Sequence, residues 1–466
     1  MVDIRPFKGI SYNPKKVNLS SVISPPYDVI SSAGQEFYYN QDEYNIIRII
    51  LGKEHANDSQ LNNKYTRARN YLSKWIQEEA LRQDDHEGIY VYRQTFSVMD
   101  ETHVITGIVA LVRLEELGKG NILPHEETLS APKLDRLKLM DACEGNPELI
   151  YSLYTDETCQ MDEILTRTVN TCEPFIDFKD ENKRKQQVWQ ITDDSQIVQI
   201  MKIMRDKPVF IADGHHRYEA TYRLKTERSI MAGVRSDELA VADELKHGMI
   251  AGDKPYDYIM MLLVAMDDPG LIILPTYRLV KGIQDYSVEI ILEGLKGAFE
   301  TSRCSRDEMF SAIEGEQYAF GMYAQGNFYL LRLKQTDRDK PYSYDGGISN
   351  QLMDDKSMEY QSLDVVVLHS LVINKLLGNC PQEGNIAYVK DMKETIDSID
   401  KGEYQLALFL APASLSQLKT LSLNQEKMPQ KSTYFWPKPV SGLLLYLWVT
   451  THHKGTKTQK VDKLNS

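Results

Sequence analysis

The stretch "PVFIADGHHRYEATYRL", Pro208 to Leu224, decides how this sequence is read. Four apolar residues, Val209 to Ala212, predict a short buried strand. Asp213 and Gly214 make a turn. Tyr218, Ala220, Tyr222 and Leu224 supply the apolar faces of a helix running to about Arg228, with Glu219 and Arg223 one turn apart. A strand that enters a helix through glycine leaves backbone N–H groups at the helix start. These groups and the helix dipole attract an anion. Gly214 lets the backbone approach closely. Arg217 adds a two-pronged phosphate donor. His215 and His216 add donors whose charge changes near neutrality. Asp213 is the odd member, because an acid beside an anion site repels the ligand. It fits as a metal ligand, as a base for a hydroxyl, or as the group that orients a histidine. The plainer alternative makes Asp213 a helix cap and the other three ordinary polar groups.

Competing signatures are missing from the sequence. There is no GxxxxGK[ST] and no GxSxG, and "GKGNIL" at Gly118 lacks the third glycine of a dinucleotide turn. "HEETL" from His125 has Leu129 where a zinc-protease helix needs its second histidine.

Composition narrows the class. The 466 residues are 42% hydrophobic and 26% charged, enough for a sizeable core and two to four domains. A net charge of −13 repels phosphate backbones, so nucleic acid is disfavoured as the main partner. Five scattered cysteines without a CxxC pair suit a reducing compartment. The opening "MVDIRPFKGI" has no apolar signal core, and the longest apolar run, "YIMMLLVAM", is strand-sized. The expectation is a cytoplasmic protein with no membrane partner.

Along the chain, residues 1–50 read as short strands and turns, with a proline-enforced bend at "SPPYDVISS". A helix is predicted from about Asn62 to Ala80. Strands are predicted at "GIYVYRQTFSV" and "HVITGIVALVRL". Residues 125–154 read as a polar loop, a short helix and a strand. "DFKDENKRKQQ", Asp177 to Gln187, reads as helical. "YDYIMMLLVAM" and "LIILPTYRLV" read as neighbouring strands around a "DDPG" turn. Helices and strands then alternate. The fold class is α/β with mixed sheets, split into a unit over 1–279, a second α/β domain over 280–447 and a disordered polar tail over 448–466. His452 and His453 in that tail receive no role.

Weaker candidates lie elsewhere. Tyr27 and Asp28 sit on the rigid bend, where Asp28 offers a general base or an Asx turn. His125, Glu126, Lys133, Asp135 and Arg136 form a dense polar loop. Lys133 and Arg136 either neutralise a ligand anion or form local ion pairs. Arg48 needs a partner inside an apolar run. His369 reads as a satisfied core histidine. Tyr434, Phe435, Trp436 and Lys438 wall a pocket or the core.

Seven segments in order, "PFKGI", "PPYDVI", "HEETLSAPKLDRL", "ADGHHRYEAT", "YDYIMMLLVAMDDPGLIILPT", "SLDVVVLH" and "KSTYFWPK", resemble the domain of unknown function 1015 family. The DGHHR stretch is also similar to the signature loop of the ParB/sulfiredoxin-like superfamily and of the archaeal free-serine kinases. That resemblance implies a ParB/sulfiredoxin-like unit in residues 1–279, with a large insertion at about 55–200. It implies phosphate binding by Gly214, His215, His216 and Arg217, and a metal or catalytic role for Asp213. The leading expectation is a phosphotransferase using ATP or ADP with Mg²⁺ on a small hydroxylated metabolite, free L-serine first. Asp213, His216 and Asp28 would be catalytic. Tyr27, His125, Glu126, Lys133 and Arg136 would help bind substrate. The alternatives are a non-catalytic nucleotide-binding regulatory protein and a metal-dependent hydrolase using His215, His216 and Asp213. Family members often carry His where this chain has Tyr277, and the ending after Ser441 also departs from the family's pattern.

Overall fold

The strand Tyr258–Ala265 is apolar at every position, so it must be covered on both sides. Tyr258, Met260, Leu262 and Val264 face one core, and Ile259, Met261 and Leu263 face another. It lies in the middle of a nine-stranded sheet. The order across that sheet is Ile122–Leu123, Val209–Asp213, Ile150–Tyr154, Tyr258–Ala265, Glu101–Arg113, Ile89–Val98, Lys185–Ile191 and Ile176–Lys179, with Ile4–Arg5 pairing beside Glu101–Arg113. Parallel and antiparallel pairs are mixed. The helices Gln160–Thr171 and Asp194–Met204 contribute Met161, Ile164, Ile197 and Ile200 to one face. Lys64–Gln77 and Ser130–Cys143 contribute Leu72, Trp75, Leu139 and Met140 to the other. The class is mixed α/β. Residues 55–200, expected as an insertion, are built into this sheet and supply most of its strands.

A second, antiparallel sheet runs Phe299–Cys304, Asn327–Leu333, Ala319–Ala324, Leu406–Phe409, Tyr277–Val280 and Ile386–Val389. The chain then returns to the first half. Phe435–Trp436 pairs with Ile272–Ile273, and Tyr446–Leu447 pairs with Gly145–Asn146. The computed structural model describes residues 1–98, 100–128, 130–231, 253–334, 356–378, 382 and 384–448. The polar tail from residue 449, with its two histidines, lies outside the described residues. Among the described residues, no helix is long and apolar enough to cross a membrane.

Three local expectations are corrected. Asp177–Gln187 is a hairpin, not a helix, because the Asp180 carboxylate gathers the Asn182 and Arg184 N–H groups, Arg184 Nε and Gln186 Nε2 at 2.7–3.0 Å into a tight turn. The two strands expected around "DDPG" do not pair. Asp268 ties the turn to Thr106 N at 3.0 Å, and the chain then leaves for the second sheet. Residues 1–50 hold three helices, among them Ser32–Gln41, capped by Ser31 accepting from Gly34 N.

Candidate functional site

Three segments far apart in sequence converge at the end of the Val209–Asp213 strand. The double proline at Pro25–Pro26 leads into a short 3-10 turn, Tyr27–Val29, which presents Asp28. Gly214 takes φ +99°, a conformation that opens the turn into the helix His215–Met231. A Cβ there would also sit 3.0 Å from Ile150. The third segment, Tyr434–Lys438, is laid alongside by backbone bonds between Ser441 and Ser24 at 2.8 and 3.3 Å.

Lys438 closes the arrangement. Its ammonium is buried and donates to Asp28 Oδ2 at 2.7 Å and to Asp213 Oδ1 at 2.5 Å. Burial disfavours the charge, but Asp213 and Asp28 outweigh it and hold the ammonium above its ordinary range. Burial also pushes the Asp28 carboxyl up, and Lys438 and Arg217 more than offset that, holding it well below the usual aspartate range. The other Asp213 oxygen accepts from Arg217 Nη2 at 2.7 Å.

The ion network continues inward. Arg217 Nη1 donates to Leu149 O at 2.5 Å and lies 3.9 Å from Glu148. Glu148 accepts from Arg136 at 3.3 Å and from Ser441 Oγ at 3.2 Å. Arg136 lies 3.8 Å over the Tyr27 ring. Arg217, Arg136 and Glu148 are all buried, so each charge needs the next.

A cavity of about 410 Å³ opens beside Lys438. Pro25, Pro26, Arg184, Lys390, Tyr434 and Trp436 line it, with Tyr388, Asp391 and Glu394 on the side of the second sheet. Lys390 Nζ lies 3.3 Å from the Tyr434 ring centroid, and Arg184 lies 5.5 Å from that of Trp436. Partial burial, with Lys438 and Lys431 nearby, lowers the Lys390 amine to about 8. Aromatic faces beside cations suit a flat, anionic ligand.

The expected residues divide sharply by where they point. Asp28 and Asp213 meet at one ammonium, and Tyr27 belongs to the same cluster. Arg217 turns inward, where Nη2 is taken by Asp213 and Nη1 by Leu149 O, and its buried Nε has no partner. His215 is buried. Its Nε2 accepts from His125 N at 3.4 Å, and its ring stands 4.7 Å from that of His125. His125 itself links Ile211 O at 2.7 Å to Thr433 Oγ at 2.8 Å, as a staple between the strand and the returning segment. Burial pushes His125, His215 and His216 below the ordinary imidazole range, which favours their neutral forms. His216 is half-buried and within electrostatic reach of Glu126, Lys431, Glu219 and Asp28. Glu126 accepts from Lys431 N at 3.0 Å, and Lys133 pairs with Glu219 at 2.8 Å.

The donor set does not fit a metal held by Asp213. Both its oxygens are engaged by cations. Among the described residues, no three His, Cys, Asp or Glu side chains converge where they would hold a metal ion. That also removes the His215–His216–Asp213 hydrolase arrangement.

Sequence reasoning missed Glu148, Lys390 and Arg184, and took Lys438 only as a pocket wall. Lys438 lies 410 and 225 residues from its two acids, so no spacing rule reaches it. The available signal was a lysine between two prolines after an aromatic run.

Among curated proteins, none matches this chain. Among solved structures, a free serine kinase in complex with AMP is similar at 12% identity and a TM-score of 0.30, covering 69% of this chain and 92% of that one. SbnI with a C-terminal truncation, from Staphylococcus aureus, is similar at 12% identity and 0.33, covering 73% and 86%. A conserved hypothetical protein from Pyrococcus furiosus is similar at 12% identity and 0.30, covering 68% and 87%. The family described as Protein of unknown function (DUF1015) matches residues 4–366, which is most of the chain, and the chain belongs to that family.

Proposed function

We propose that this chain is a nucleotide-dependent phosphotransferase acting on a small hydroxylated metabolite, with free L-serine as the first acceptor to try. The observation that carries the reading is the buried Lys438 ammonium, shared by Asp28 and Asp213 beside a cavity walled by aromatics and cations. In this reading Tyr434 and Trp436 hold the base of ATP or ADP, and Lys390 and Lys438 hold its phosphates. Lys438 supplies fixed positive charge where charge builds up during transfer. As Lys438 turns toward phosphate, Asp28 and Asp213 lose its neutralising bond. The carboxylate oxygens that Lys438 releases then face the acceptor hydroxyl, and one of them accepts its proton. Arg217 acts as a positioning residue, holding Asp213 from inside. The unit over 1–279 keeps its ParB/sulfiredoxin-like reading as part of this proposal. No step is assigned to Mg²⁺, which would arrive with the nucleotide.

One observation favours the non-catalytic alternative. Both carboxylates are already ion-paired, which suits binding without turnover. Phosphorus NMR with Mg-ATP or Mg-ADP and L-serine separates the two readings. A phosphomonoester signal should require serine and fall about 100- to 1,000-fold in Lys438→Met and Asp213→Asn. Heat protection by nucleotide without a new signal would mean a nucleotide-binding regulatory protein. Neither signal nor protection would sink both readings.

A further inference from the structure

The strand Tyr277–Val280 is an inner strand of the second sheet, between Leu406–Phe409 and Ile386–Val389. Strand alternation sends Tyr277 and Leu279 to one core and Val280 to the other, which is covered by the helical segment 364–377. Arg278 shares the Val280 side and is 1% exposed. Its Nη1 donates to Thr276 O, and Nη2 donates to Lys431 O at 3.3 Å. Its Nε has no partner. The guanidinium lies 5.5 Å from the ring centroid of its cross-strand neighbour Tyr388. Among the described residues, no carboxylate pairs with it. Burial accordingly lowers it to about 10, against an ordinary arginine.

A second unsatisfied atom lies on the covering segment. His369 Nε2 is buried and has no partner. Burial, then the Arg278 charge, push this histidine down to about 3, so it is neutral. His369 begins a π-helical turn, His369–Ile373, the kind of local widening found at functional sites. The expectation of a satisfied core histidine is therefore corrected. A buried cation without a counter-ion is costly, and a bridging water would leave its charge uncompensated.

We propose that Arg278 and His369, backed by Tyr388, form a binding site for one small oxyanion, a carboxylate or phosphate group, inside the second half of the chain. Arg278 offers its free Nε–H and its charge, and neutral His369 offers an Nε2–H donor. The site stands independently of the phosphotransferase reading. Tyr388 also borders the cavity, so an anion bound behind it bears on the cavity wall.

The test is thermal unfolding of the full chain in an oxyanion-free buffer, with inorganic phosphate and sodium acetate in separate arms and sodium chloride at matched ionic strength. Phosphate or acetate should raise the midpoint by about 2 °C or more beyond chloride. A response to phosphate alone identifies a phosphate group, and a response to acetate identifies a carboxylate. The shift should persist in Lys390→Met, which alters only the cavity, and vanish in Arg278→Met. Should Arg278→Met fail to fold, His369→Leu serves instead and should lose most of the shift. Equal shifts with chloride, or a shift retained in Arg278→Met or His369→Leu, would overturn the proposal.

Discussion

Arg217 and Arg136 in the first half, Lys438 which the returning chain adds to them, and Arg278 in the second sheet are buried to similar depth, at 5%, 3%, 7% and 1% exposure. Their surroundings differ completely. The first three belong to a chain of ion pairs running from Asp28 through Lys438, Asp213, Arg217 and Glu148 to Arg136. Among the described residues, Arg278 meets carbonyl oxygens, an aromatic face and the neutral His369, and no carboxylate. Burial raises the cost of every one of these charges. In the first half the cost is offset within the protein, so removing one member strands its partners. At Arg278 no described carboxylate offsets it, so removing the charge strands no described counter-charge, only the carbonyls of Thr276 and Lys431. Equal burial thus has opposite consequences, depending on whether a counter-charge is built in.

The largest effect should come from breaking the paired set. Lys438→Met leaves Asp28 and Asp213 facing each other without their shared cation. Unfolding in urea should show a loss of about 3 kcal/mol, the lower end for a broken buried pair because Asp28 is partly exposed. A loss below about 1 kcal/mol would mean that the two acids are solvated well enough to need no cation.

Acidification attacks the same set from the carboxylate side. Burial pushes Asp135 up, but Arg136 and Lys64 outweigh it and lower its carboxyl to about 2. Asp28 is shifted in the same direction. A carboxylate with a depressed folded pKa contributes stability that is complete above about pH 4 and lost as the pH falls through the folded value. His125 and His215 act earlier. Their folded pKa values lie below the ordinary 6.5, so the unfolded chain takes up protons that the folded chain refuses. The unfolding free energy from urea titration, and the midpoint with it, should therefore fall from about pH 6.5 downward and more steeply below 4, the free energy by about 2 kcal/mol between pH 7 and 3. A midpoint that stays level from pH 7 to 4 would remove the histidines from this account.

The smallest effect, of opposite sign, should come from Arg278→Met in an oxyanion-free buffer. Replacing an uncompensated buried charge with an apolar side chain of similar length should leave stability unchanged or raise it by about 1 kcal/mol. A clear loss would mean that the bonds to Thr276 O and Lys431 O outweigh the charge penalty, and the contrast between the halves would narrow.

Much of the fold was legible where a short-range pattern is unambiguous. The run Val209–Ala212 can only be a buried strand, and the apolar positions after Gly214 can only follow a helix. The region Asp177–Gln187 misled because its charges mimic an exposed helix, whereas one buried carboxylate, Asp180, organises a turn. The site was legible in part. Asp28 and Asp213 announce themselves as acids on constrained backbone, at a proline bend and a glycine turn. Arg217 looked like a ligand donor because residue type carries no information about direction, and its side chain points inward.

By itself, the sequence determined the class of protein, the strand–turn–helix at Asp213–Gly214 and the polar groups gathered there. These follow from local rules: apolar periodicity, proline and glycine backbone limits, and helix-end chemistry. Only the tertiary structure decided which charges pair. It brings Lys438 back from the far end of the chain to Asp28 and Asp213, and it buries Arg278 away from every described acid. The physical reason is that backbone preference acts over a few residues, whereas the energy of a buried charge depends on whatever the fold places within a few ångströms of it.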